Sequence, residues 1–251
     1  MAAIHPPERR PELTRLSKLL KFQVQGLDGA PVGTVSDYII NTCETYVIYF
    51  LVDPAPSLQV SAGHRLVVPY EAVTINSGAL DAQAKAIVLH LRSSQLQGAP
   101  SFPNPLQLYP PNTWEDSVRG AWQQVVRLGK LSSVCNAISG TVHKIALATQ
   151  LIGAALRDGN HNSLGAVQEV ILEPDTGQVS FYVVNLQNNQ GLVLVPLSKT
   201  NIPDEALKPG ATFNLVLLAD DAHLIGAPRL AAIDQATDPA TQGAARQYWG
   251  H

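Results

Sequence analysis

The 251-residue chain contains the same pattern twice, and a duplication constrains a fold more than any single motif. Whatever the first copy forms, the second must form as well. Asp28-Gly29 and Gly33-Thr34-Val35-Ser36-Asp37 read like Asp158-Gly159 and Gly165-Ala166-Val167-Gln168-Glu169, with Gly33 and Gly165 132 positions apart. Val47 to Asp53 matches Val179 to Asn185 at the same offset. Leu66-Val67-Val68-Pro69-Tyr70 matches Val193-Leu194-Val195-Pro196-Leu197 at an offset of 127, and the difference is assigned to a longer first-copy loop around Asp53 to Ser57. Leu96 to Pro100 answers Leu224 to Pro228, and Val118-Arg119-Gly120-Ala121-Trp122 answers Ala245-Arg246-Gln247-Tyr248-Trp249. The copies run from about Leu16 to Trp122 and from about Ala148 to Trp249.

Each copy reads as β. Asp28-Gly29 and Asp175-Thr176-Gly177 are tight-turn sequences between apolar runs. Val47 to Val52 and Val179 to Val184 are six-residue apolar runs rich in β-branched and aromatic residues, which predicts buried strands. Pro69 and Pro196 close apolar triplets, where a residue without a ladder donor ends a strand or lies on an edge. Gly33 and Gly165 stand in strand-like contexts and predict a bulge or sharp bend. Several short strands curled into a small barrel are expected twice.

Each copy then ends in a helix. Thr113 to Asp116 fits an N-cap with acidic residues after it, followed by Trp114, Val118, Ala121, Trp122, Val125 and Val126 at helical spacing. Asp238-Pro239 is an N-cap with Pro at the first helical position, followed by Ala240, Ala244, Ala245, Tyr248 and Trp249. The organisation expected is a tail over residues 1–12, a first barrel over 13–103, a helical or irregular connector over 104–146, a second barrel over 147–232 and a C-terminal helix over 233–251.

Composition removes several function classes. Charged residues are 15% of the chain and the net charge is −3, too sparse and too balanced for nonspecific binding to a phosphate backbone. Cys43 and Cys135 are far apart without a metal-ligand spacing, and seven scattered histidines offer no helical i, i+4 pair. No phosphate-binding loop, nucleophile elbow or dinucleotide fingerprint occurs. The first ten residues carry no apolar run of the kind a secretory leader needs, and no stretch is long and apolar enough to span a bilayer. The expectation is a non-enzymatic protein without a cofactor or metal.

The order of a Leu-rich opening strand, a Gly-x-Val-x-acid turn, an apolar strand and an apolar-apolar-Pro close resembles the PRC-barrel. That family includes the cytoplasmic domain of the photosynthetic reaction-centre H subunit and a ribosome-maturation factor. The resemblance covers about Leu16 to Pro100 and Thr149 to Pro228, through Gly33, Asp37 and Pro69 and again through Gly165, Glu169 and Pro196. It departs from the H subunit in showing no N-terminal membrane helix, and from the ribosome factor in carrying a second barrel where that protein has another domain. The resemblance implies an adaptor that binds other proteins and implies no reaction.

Three groups of candidate residues follow. Gly33, Gly165, Pro69 and Pro196 are read as structural turn positions. Asp37 and Glu169 stand at matching places, either as acids working together or as acceptors of backbone donors at a turn. Trp114, Trp122, Tyr248 and Trp249 are read either as plugs packed on the barrels or as anchors for a protein partner; docking of the second helix is favoured, because a helix this short is marginal alone. The leading functional reading is a cytoplasmic scaffold, peripheral to a membrane, that docks on the cytoplasmic face of a photosynthetic reaction centre or another membrane complex. A ribosome-maturation or RNA-processing adaptor is the alternative, a small-molecule carrier is a third class, and homo-oligomerisation stays open.

Overall fold

The computed structural model describes residues 13–75, 86–103, 114–123, 145–207 and 211–250. The first copy opens with β1 (Thr14–Arg15), one turn of helix α1 (Leu16–Leu19) and β2 (Gln23–Gln25). The long strands β3 (Pro31–Asn41) and β4 (Tyr46–Pro54) follow, then β5 (His64–Pro69), β6 (Val73–Ile75), β7 (Ala86–Leu89), β8 (Ser101–Pro103) and helix α2 (Glu115–Gln123). The second copy repeats the series as β9 (Ile145–Leu147), α3 (Ala148–Leu151), β10 (Ala155–Arg157), β11 (Ser163–Leu172), β12 (Val179–Leu186) and β13 (Leu192–Pro196). It continues with β14 (Thr200–Asn201), β15 (Asn214–Leu217), helix α4 (Asp221–Gly226), β16 (Arg229–Leu230) and α5 (Pro239–Trp249).

Among the described residues the two sheets have one topology, β6-β7-β2-β3-β4-β5-β8 and β14-β15-β10-β11-β12-β13-β16. Val47 to Val52 and Val179 to Val184, the runs expected as strands, lie at the centres of these sheets, and all but the half-buried Ser180 are buried. The chain is mainly β, with two small barrels each followed by a short amphipathic helix, as the sequence predicts. The longer first-copy loop is also present: residues 55–63 join β4 to β5 around a 3-10 turn, whereas residues 187–191 join β12 to β13.

Three local expectations are corrected. The Leu-rich opening is a helical turn, not a strand: in α1, Leu16 and Leu19 are fully buried. Asp220-Asp221 has the composition of a solvated turn but opens α4, Asp220 as its N-cap with Oδ1 accepting the His223 N–H at 2.6 Å. In α5 the buried face is Gln242, Ala245 and Trp249, while Ala240 and Ala244 are exposed. Gln242 is buried although polar: its amide nitrogen donates to Ala236 O at 2.7 Å, while its Oε1 has no hydrogen-bond partner among the described residues. Thr113, Val125, Val126 and Cys135 lie outside the described residues.

The two barrels exchange their first strands. Strand β1, which precedes the first barrel, pairs with β11 of the second through Thr14–Leu172 and Arg15–Ile171. Strand β9, which precedes the second barrel, pairs with β3 of the first through Ile40–Ala146 and Ile39–Leu147. The hairpin tips cross in the same reciprocal way: Val47 N–H donates to Gly177 O at 2.9 Å, and Val179 N–H donates to Thr45 O at 2.7 Å. Each of these pairs maps onto its counterpart by the 132-residue offset, so the copies are related by a pseudo-twofold axis through their shared edge.

Candidate functional site

The two acids sit on this shared edge. Gly33 and Asp37 lie within β3, and Gly165 and Glu169 within β11: the acids are strand residues, which corrects their reading as turn positions, while the glycines keep their strand-like context beside ladder shifts at Val32 and Leu164. The ladder skips Ser36 between Val35 and Asp37, and skips Gln168 between Val167 and Glu169. A bulge of this kind re-aims the following side chain. Asp37 and Glu169 are each 3% exposed.

Each carboxylate is met from the other copy. Asp37 Oδ1 accepts the N–H groups of Tyr38 at 2.8 Å and Thr149 at 3.2 Å, and Oδ2 accepts the Thr149 hydroxyl at 2.5 Å. Glu169 Oε1 accepts the N–H groups of Val170 at 3.0 Å and Ser17 at 3.1 Å, and the Ser17 hydroxyl donates to Oε2. The residues preceding α1 and α3, Arg15 and Leu147, offer no acceptor to the first turn, so the opposite copy's carboxylate caps it. Burial raises the Asp37 carboxyl above its ordinary range, against the opposing effect of the Thr149 and Tyr38 donors. Ser17 and Thr149 were missed in the sequence, although they obey the same 132-residue offset as the acids.

The glycines serve close approach of chains. A Cβ on Gly33 would lie 2.2 Å from Asp53 O, and one on Gly165 would lie 2.2 Å from Asn185 O, in each case a carbonyl of the paired strand. Pro69 and Pro196 end β5 and β13, pairing with Tyr49 and Phe181, and each leads into a 3-10 turn.

The aromatic residues pack on the barrels. Trp122 Nε1 donates to Val67 O at 2.8 Å, and Trp249 Nε1 donates to Leu194 O at 2.7 Å, the same carbonyl in the two copies. Trp114 is 2% exposed, in edge contact with Tyr49 at 5.7 Å and Phe102 at 6.3 Å between ring centroids. Tyr248 is half-buried; its hydroxyl donates to His223 O at 2.6 Å, and its ring lies 4.6 Å from the His223 ring. Cys43 is an exposed free thiol. No group of three or more His, Cys, Asp or Glu among the described residues is placed to hold a metal ion.

The axis is not symmetric everywhere. On one side the Tyr70 ring stacks on Phe50 at 5.0 Å and 10°, and its hydroxyl reaches across to Pro174 O. On the other side the counterpart of Tyr70 is Leu197, which makes no such hydrogen bond, and both it and Thr45 line a hollow of about 310 Å³.

Duplicated small barrels with reciprocal strand exchange define the class of protein, and a comparison of sequences gives the family. A family model described as the PRC-barrel domain matches residues 11–92 and 143–208, together more than half of the chain. The chain belongs to the PRC-barrel family. No curated protein matches it. Among the described residues no helix is long and apolar enough to cross a membrane.

Proposed function

We propose that the protein is a non-enzymatic binding and scaffold module whose partner is another protein. One observation carries this reading: the acids and tryptophans that stand out in the sequence are spent on building a single two-barrel body. Asp37 and Glu169 cap helical turns across the axis, and Trp122 and Trp249 hold the closing helices on β5 and β13. None of these groups is left converging on a space where a substrate could react. A rigid body of this kind suits presentation of a fixed surface, and the family resemblance points to adaptor roles.

The partner proposed is the cytoplasmic face of a membrane complex, a photosynthetic reaction centre in a phototroph, with the protein held peripherally. This extension rests on the resemblance to the H subunit. Tagged full-length protein should be captured from its native cells and the lysate fractionated. Enrichment of membrane-complex subunits with the bait in the membrane pellet supports the proposal. Co-sedimentation with ribosomal subunits overturns it in favour of a ribosome-maturation adaptor.

A further inference from the structure

The duplication provides an internal control for the hollow beside Leu197. At several lining positions the second copy carries the smaller side chain, although Thr45 stands where the first-copy site has Gly177: Ser180 for Ile48, Phe181 for Tyr49, Leu197 for Tyr70 and Ser198 for Glu71. Gln178 likewise stands where the first copy has Tyr46. The hollow is therefore lined by positions at which the copies differ. Its floor is apolar, from Val179, Phe181, Pro196 and Leu197, all buried.

Charge differs in the same place. In the first copy Arg119 is neutralised by Glu115 at 3.7 Å, and Glu71 also lies within its field. The matching arginine, Arg246, lines the hollow, but its two acidic neighbours are replaced by Gln242 and Ser198. Among the described residues Arg246 has no ion-pair partner. The hollow instead has an acid on another part of its wall: Glu173, where the first copy has Asn41. Glu173 Oε2 accepts the Thr176 hydroxyl at 2.9 Å, which holds the side chain in place and leaves Oε1 available. Arg246 and Glu173 line one hollow without pairing with each other.

We propose that this hollow binds a small zwitterion with an apolar body, an α-amino acid of the leucine or phenylalanine class. Its carboxylate pairs with Arg246, whose planar fork suits a carboxylate. Its ammonium pairs with Glu173, and its side chain lies on the apolar floor of the hollow. A hollow of about 310 Å³ is at the small end of ligand sites, which matches a ligand of this size. The site is additional to the protein-binding role and does not depend on it.

The test is calorimetric titration of the full-length protein with L-phenylalanine and L-leucine, alongside 3-phenylpropionate and 2-phenylethylamine. The zwitterions should bind saturably, and each analogue lacking one charge should bind at least about tenfold more weakly. Arg246→Gln and Glu173→Gln should each cost at least about tenfold, whereas Arg119→Gln should leave binding unchanged. Ser180→Ile, which restores a first-copy residue, should abolish binding while the melting curve stays cooperative; Gln178→Tyr provides a second filling variant if the first does not fold. Absence of saturable binding up to about 10 mM overturns the proposal. So does binding that survives both filling variants, or an analogue with one charge that binds as tightly as the zwitterion.

Discussion

At the residue scale, positions that look alike in sequence are held by different physical requirements. Gly165 is fixed by the 2.2 Å separation a Cβ would have from Asn185 O, with Leu186 Cα a further 3.0 Å contact, and backbone atoms of a paired strand cannot swing aside. Gly165→Val should lower stability by more than about 1 kcal/mol; an unchanged melting curve would show that the strands can separate there at little cost. Asp37 makes a prediction about pH. Its carboxyl is raised by burial above the ordinary value of 3.8, so the folded state holds that proton more tightly than the unfolded chain. The stability this adds is fully present below the unfolded value and is lost as pH rises through the folded one. Asp37→Asn removes the titration, so its destabilisation relative to the parent should be larger near pH 3.8 than at neutral pH. Denaturant titrations of both proteins across that range, showing a constant or growing difference, would contradict the assignment.

At the element scale, the short pieces depend on what they meet. Strand β1 has two residues and α1 has four, too little to persist alone. Their order comes from β11 and Glu169, just as that of β9 and α3 comes from β3 and Asp37. Helix α5 is better defined, with Asp238 accepting the Thr241 N–H at 3.0 Å and Gly250 closing it in a left-handed conformation. It remains ordered through Trp249, which is 3% exposed, since loss of a buried Trp costs about 3–5 kcal/mol. Removal of residues 238–251 should therefore lower the melting temperature clearly. If stability is retained and only partner binding is lost, the helix serves as an anchor and its docking on β13 is unimportant.

At the scale of the whole molecule, strand exchange makes the two barrels one cooperative unit. Neither can unfold without exposing an edge of the other: β3 would lose β9, and β11 would lose β1. Chains with two separate domains commonly melt in two steps. This one should show a single calorimetric transition, and a core substitution in either copy should shift it as a whole. Two resolved transitions would mean that the exchanged strands contribute little. The symmetry that couples the halves also exposes where they have diverged, and the hollow beside Leu197 is such a place.

The duplication, the β character of each half, the strands ending at Pro69 and Pro196, the longer first loop and the closing aromatic helices were all legible in the chain. Each is encoded locally, by side-chain period, by turn chemistry or by a residue that removes a backbone donor. The exchange of β1 and β9 was not legible, because two- and three-residue strands carry no periodicity and their partners are remote. Ser17 and Glu169 are 152 positions apart, and Thr149 and Asp37 are 112 apart. The same limit hid the function of the acids: an Asp after a glycine has the composition of a local turn, and only a bulge in β3 turns it toward the other copy. Gln242 shows the reverse case, a polar residue buried with only the nitrogen of its amide paired, to Ala236 O. Sequence set which segments form strands and helices, since those preferences act over a few residues. Tertiary structure decided which strands pair across the axis and which polar groups are buried there, since those depend on atoms that meet only when the two copies close on each other.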